Sequence, residues 1–417
     1  MSKLVINGPA KLSGTVKISG SKNAALPIIA ATLLTRGKNT LENVPNITDI
    51  HDLLKILEKL GSRIKFTGNT LEIDNTAING NNPDPTLVRN MRASILLIGP
   101  LLSRNKKVNI SAPGGCFIGN RPLDAHFEAF EKFGATIKEK NDLYYISVPK
   151  LKGTNITLQL MSVTATENII IAAVLAEGKT TLRLASCEPH VQDLCNFLNK
   201  TGAKISGIGT NELTIEGVKE LKPAKYSIVS DEIEVGTYII AAAATASEIT
   251  LENIETSTLD YSMISRLEAA NIRMDIKENS ITVKRSSVIK PVNIWTAPSP
   301  HFPTDLQAPF AVLMTQANGS SLIHETMFEG RLNYIKELKK MGANASILDP
   351  HRAVIIGPTV LYGKKITTLD LRAGATLIIA ALIAHGKSEI SRAEIVDRGY
   401  ESIVEKFQSL GADIRKE

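Results

Sequence analysis

Only three cysteines, Cys116, Cys187 and Cys195, occur in 417 residues. So sparse and odd a set excludes a disulfide scaffold and fits a reducing cytosol. No apolar run approaches the length that spans a bilayer; the longest, such as Leu377 to Ala384, is one side of a short Ala-rich helix. The start, Met1-Ser2-Lys3-Leu4, has no apolar core, so no export signal is expected. Basic residues form no tract, and a net charge of +6 spread along the chain suits small anions as well as nucleic acid. There is no dinucleotide fingerprint and no nucleophile elbow. Gly178-Lys179-Thr180 mimics the end of a P-loop, yet Ala173 stands where its first glycine belongs, and the phrase follows a helix instead of leading into one. Gly386-Lys387-Ser388 repeats it and gives the plain reading, a glycine cap before a strand. Cys187, His190 and Cys195 match no zinc spacing.

With 43% hydrophobic and 22% charged residues the chain is an ordinary globular one, long enough for two or three domains. One phrase recurs: an amphipathic helix, a Gly or Asn cap, then a strand. The caps are Gly61, Gly134, Gly202, Asn271, Gly342 and Gly411, at spacings of 73, 68, 69, 71 and 69 residues. Before each comes an Ala-rich helix, predicted over 23–35, 93–102, 166–176, 235–246, 306–317 and 374–384. The chain therefore reads as six units of strand, Ala-rich helix, strand, amphipathic helix and two strands. The sixth unit stops one strand short. Leu4-Val5-Ile6-Asn7-Gly8-Pro9 resembles Val354-Ile355-Ile356-Gly357-Pro358 closely enough to supply it. Units one to three predict one domain, 22–229; residues 1–21 and 230–417 predict the other, with paired crossings that suit a hinge.

Two features point to chemistry. The stretch Pro113-Gly114-Gly115-Cys116-Phe117-Ile118-Gly119-Asn120-Arg121-Pro122 cannot be a regular helix, and reads as a flexible loop with an accessible thiol five residues before an arginine. The Ala-rich helices also start at loaded residues: Lys22-Asn23, Arg92, Ser162, Asp231-Glu232, Thr304-Asp305 and Arg372. The acidic and hydroxyl residues read equally as N-caps. Lys22, Arg92 and Arg372 do not, because a cation at a helix N-terminus opposes the macrodipole unless an anion lies between them. An anionic substrate in a cleft where helix starts converge is the expectation.

These features, with Gly20-Ser21-Lys22-Asn23-Ala24-Ala25, Met91-Arg92-Ala93-Ser94 and Asp397-Arg398-Gly399-Tyr400-Glu401, resemble the UDP-N-acetylglucosamine enolpyruvyl transferases along the whole chain. The resemblance implies an α/β (α+β) fold of two inside-out α/β barrel domains, each of three repeats, with the active site between them. It implies transfer of the enolpyruvyl group of phosphoenolpyruvate to the 3′-hydroxyl of UDP-N-acetylglucosamine, in the cytoplasm, as the first committed step of peptidoglycan synthesis. It gives Cys116 the role of acid and reversible covalent partner, and Asp305 that of general base. It gives Lys22, Arg121 and Arg398 the phosphate and carboxylate of phosphoenolpyruvate, with Arg331 and Arg372 in support. Asn23, Arg92, the run Arg121, Pro122, Leu123, Asp124 and Ala125, with Ser162, Val163 and Met327 (through its backbone), are implied contacts of the sugar nucleotide. No cofactor, metal, nucleic acid or membrane is implied; the cations already neutralise the phosphate.

Three positions depart from the family pattern: Thr164 where glycine is usual, Gln159-Leu160-Met161 where a lysine often stands, and Glu232 where some members carry arginine. They bear on diphosphate binding and touch no catalytic group. The rivals are shikimate-pathway enolpyruvyl transfer, whose enzymes lack this cysteine, and a silent sugar-nucleotide-binding paralogue. An RNA-end-processing enzyme of related fold would use a nucleotidylated histidine, and nothing marks His126 as one.

Overall fold

The computed structural model describes residues 2–115, 118–286 and 288–417. The chain divides into two compact units, one of residues 20–116 and 121–229, the other of residues 1–19, 117–120 and 230–417.

In each unit the Ala-rich helices are the core. Lys22–Ala31, Ile98–Asn105 and Val163–Ala173 lie in the first unit; Glu232–Ala244, Gln307–Met314 and Leu371–Ile383 lie in the second. They are apolar nearly all round, as buried helices must be. Ile240, Leu313 and Ile379 are fully covered, and truncating any of them to Ala would cost about 2–5 kcal/mol. Several of these helices begin up to three residues before the apolar pattern does, because hydrophobic periodicity does not register a polar first turn.

The amphipathic helices pack one face inward. Their caps take the left-handed conformation at Gly61 (φ 107°), Gly134 (95°), Gly202 (107°), Asn271 (64°), Gly342 (102°) and Gly411 (94°), so the repeat is real at the level of backbone geometry.

Each repeat contributes one open sheet, and among the described residues no sheet closes on itself. In this sense the domains are inside-out, helices within and sheets outside, but the barrel of the expectation is not a hydrogen-bonded one. The sheet strands alternate buried and exposed, as in Lys179–Arg183 and Glu212–Glu216. Strand Lys3–Gly8 lies between Gly386–Ser391 and Asp413–Lys416, antiparallel to both. The strand before the first buried helix, Ser13–Lys17, pairs with Glu248–Glu252 of the fourth repeat. The strand before the fourth buried helix, Lys225–Ser227, pairs with Lys38–Glu42 of the first.

Candidate active site

In the unit of residues 20–229, Ser21 caps the helix Lys22–Ala31 by accepting the Ala24 N–H at 3.3 Å. Lys22, the first helical residue, sits 3.5 Å from Asp49 at the start of helix Thr48–Leu60; Asn23 follows it, half-buried. Arg92 opens the turn Arg92–Leu97 and donates Nη2–H to the carbonyls of Arg121 and Pro122. Burial, then the charge of Arg121, lowers its pKa to about 10. Arg92 thus braces the backbone that leads through Leu123 into the helix Asp124–Lys132, which holds Asp124 and Ala125 in its first turn.

Helix Val163–Ala173 starts at Ser162, whose hydroxyl accepts the Ala165 N–H at 3.4 Å, and its first turn holds no acidic residue. Beneath it runs a chain of fixed polarity. Asn168 Oδ1 accepts the Gly99 N–H, while its Nδ2 donates to Ile95 O and to His126 Nδ1 at 3.1 Å. Nδ1 is therefore an acceptor, Nε2 carries the proton, and Nε2–H donates to Thr164 Oγ1 at 3.2 Å. Burial, then Arg92, depresses the His126 pKa to about 3, so the ring stays neutral. Thr164, the departure from the family's glycine, has its oxygen engaged and its own proton left to donate.

The glycines of the cysteine loop are not there for flexibility alone. A Cβ on Gly114 would lie 1.7 Å from Arg89 O, and one on Gly115, at φ 108°, would lie 2.9 Å from Arg92 N. The run lets the loop base approach the 89–92 backbone closely. Cys116, the expected acid, lies outside the described residues, as does Phe117. Beyond them, Ile118 O accepts the Gly330 N–H at 3.0 Å. Asn120 N–H donates to Glu329 Oε1 at 2.9 Å, and that bond lowers the Glu329 pKa.

In the other unit Asp305, in the turn Thr304–Leu306, is held at both oxygens. Arg331 Nη2–H donates to Oδ1 at 2.6 Å, and Arg372 Nε–H to Oδ2 at 2.8 Å. Both arginines are buried, Arg331 stacking over Phe328 and Arg372 over Tyr400. Arg331 Nη1–H also donates to Thr304 Oγ1 at 2.7 Å. Two guanidinium groups on one carboxylate fix its direction. Met327 N–H is taken by Glu325 Oε1 at 2.9 Å, so any backbone contact from Met327 to a substrate falls to its carbonyl. Arg398 ends the turn Ala393–Arg398, half-buried.

Of the cations at helix starts, Lys22 and Arg372 meet the protein's own carboxylates, Asp49 and Asp305, while Arg92 meets backbone carbonyls. Sequence reading missed Asp49 and Glu325. For Glu325 a signal existed: in strand Gly319–Glu325 the buried positions are Ser321, Ile323 and Glu325, so strict alternation carries a carboxylate inward. Elsewhere, Cys187 and Cys195 are buried and take part in no disulfide among the described residues; burial, then Glu167, pushes Cys195 up to about 12, which makes it inert.

A family model for EPSP synthase (3-phosphoshikimate 1-carboxyvinyltransferase) matches residues 6–407. The enolpyruvyl transferase NikO from Streptomyces tendae superposes with a TM-score of 0.91 at 26% identity, over 100% of this chain and 98% of that one. An EPSP synthase from Acinetobacter baumannii shares the fold, with a TM-score of 0.77 at 18% identity over 100% of both chains. The molecule is thus of the carboxyvinyl transferase class. Within it, a UDP-N-acetylglucosamine 1-carboxyvinyltransferase of Desulfosudis oleivorans is 44% identical over 416 residues, covering 100% of this chain and 99% of the relative. Its counterpart from Clostridium botulinum is 46% identical over 418 residues, covering 99% of both. The chain belongs to the UDP-N-acetylglucosamine 1-carboxyvinyltransferase family.

Proposed function

We propose that this protein transfers the enolpyruvyl group of phosphoenolpyruvate to the 3′-hydroxyl of UDP-N-acetylglucosamine, releasing phosphate, as a cytoplasmic step of peptidoglycan synthesis. The observation that carries the reading is full-length likeness, at 44–46% identity, to enzymes named for that transfer. No helix among the described residues is long and apolar enough to cross a membrane.

Under this reading Lys22, Arg121 and Arg398 take the phosphate and carboxylate of phosphoenolpyruvate; guanidinium forks suit both anions. The Cys116 thiol gives its proton to C3 of the enol, which leaves C2 electrophilic. The sugar oxygen bonds to C2 as its proton passes to Asp305. The tetrahedral intermediate then returns a proton from C3 to the Cys116 thiolate while the C2–O bond to phosphate breaks, which restores the enol ether and releases phosphate. Cys116 also forms a reversible bond to C2. Arg331 and Arg372, first expected as substrate contacts, serve by aiming Asp305. Asn23, Arg92, the 121–125 run, Ser162, Val163 and Met327 hold the nucleotide and sugar, and closure of the cysteine loop excludes water from the enol chemistry. Thr164 supplies a hydroxyl donor beside Ser162 where the usual lysine is missing.

The test is Cys116→Asp against Cys116→Ala. An acid without sulfur keeps turnover and loses alkylation by fosfomycin, while Ala loses both. A Cys116→Ala enzyme with full turnover contradicts the assigned chemistry.

A further inference from the structure

Glu325 is a fully buried charged residue for which the mechanism above has no use. It ends strand Gly319–Glu325 and accepts three hydrogen bonds. Oε1 takes the N–H groups of Met327 at 2.9 Å and Phe328 at 3.3 Å; Oε2 takes the Thr304 hydroxyl at 2.5 Å. The direction of the last bond follows from Arg331, which can only donate. Its Nη1–H occupies the Thr304 oxygen, so the Thr304 proton goes to Glu325. Glu325, Thr304, Arg331 and Asp305 form one hydrogen-bonded line that ends in a carboxylate on each side: Arg331 donates directly to Asp305 and, through Thr304, toward Glu325.

Charge points the same way. Asp305 faces two guanidinium groups, Arg331 and Arg372. Burial opposes the charge of Arg331, but Asp305, then Glu325 and Asp370, outweigh it and leave its pKa raised. Arg372 is likewise charged, with Asp305, Tyr400 and Asp231 facing it. Without Glu325, Asp305 would sit under guanidinium charge with less negative charge nearby to offset it. It would then hold a proton less readily.

We infer that Glu325 is a positioning residue for the transfer: through Thr304 and Arg331 it aims Asp305 and preserves its basicity, and through the Met327 amide it sets the Met327 carbonyl. The inference rests on the reading of Asp305 as the base. Glu325→Gln keeps the shape and the Oε1 acceptor but turns an N–H toward the Thr304 oxygen that Arg331 already occupies. The expected result is a fall in kcat of about 30-fold or more, a KM for phosphoenolpyruvate within about twofold, and an acid limb of the kcat–pH profile displaced to lower pH. Thr304→Val should reproduce it, Thr304→Ser should recover most of the loss, and the double variant Glu325→Gln/Thr304→Val should be no worse than either single one. A merely structural Glu325 would lower Tm but leave kcat per folded enzyme and the pH limb in place, and additive Glu325 and Thr304 losses would deny the relay; either outcome overturns the inference. The wild-type enzyme, run with UDP-N-acetylglucosamine and with shikimate 3-phosphate, separates the two claims. Whichever acceptor supports phosphate release is used for the comparison, so a wrong acceptor would not be mistaken for a wrong role.

Discussion

Single side chains in this protein are often defined by the direction of a hydrogen bond. His126 is the clearest case. Its lowered pKa, about 3 against the usual 6.5, keeps it neutral when folded, whereas in the unfolded chain it gains a proton as pH falls below 6.5. The unfolded state thus binds more protons between those values, so this contribution to stability is present above about pH 6.5 and is lost as pH falls toward 3. His126→Gln should flatten the decline of Tm over that window; an unchanged decline would mean that His126 is not buried neutral. Glu167 has the opposite sign. Burial, then Glu188, raises its pKa well above 4.5, so folding must retain a proton that the unfolded chain releases as pH rises. Thr164→Val should weaken binding of UDP-N-acetylglucosamine by about tenfold, the worth of one good hydrogen bond to an anion, with kcat nearly kept. Equal affinity in titration calorimetry would show that the hydroxyl is not used. The sequence marked Thr164 as a departure. It could not show that a buried histidine 38 residues away orients it, because such partners meet only through the fold.

Helix starts and one glycine run concentrate the chemistry at the level of elements. The Ala-rich cores, the amphipathic partners and all six left-handed caps were legible, since apolar periodicity and Gly or Asn caps are local signals. Helix starts were less so, and several of these helices begin up to three residues early. The same polar first turns hide the pairing of Arg372 with Asp305, which lies 67 residues away in sequence and leaves no periodic trace. The described flanks of the cysteine run, 112–115 and 118–122, are irregular as expected, but its glycines were read as freedom where two of them serve close packing. Gly114→Ala places a methyl 1.7 Å from Arg89 O, a backbone atom that cannot step aside cheaply. The expected outcome is a drop in kcat of about 100-fold or more with a small change in Tm, because the loop base shifts while the helical core does not. Turnover like wild type would show that the base has room to move.

On the scale of the whole molecule, the six repeats share one plan while the chain order does not follow it strictly. Residues 4–6 sit between two strands from the far end of the chain, and their likeness to residues 354–356 is the only sequence sign of it. The exchanged pairings of Ser13–Lys17 and Lys225–Ser227 had no such sign; parallel pairing across more than 180 residues has no local code. Deleting residues 2–8 should therefore leave Gly386–Ser391 and Asp413–Lys416 without a shared partner, giving an insoluble product or a Tm lowered by many degrees. A truncated chain with wild-type Tm would contradict the central place of that strand. The acceptor is the central claim, since the fold also occurs in an EPSP synthase. Phosphate release from phosphoenolpyruvate, measured side by side with UDP-N-acetylglucosamine and with shikimate 3-phosphate, tests it most directly. Release with UDP-N-acetylglucosamine alone is the predicted result; release with shikimate 3-phosphate alone, or with neither in folded protein that binds UDP-N-acetylglucosamine, would contradict it.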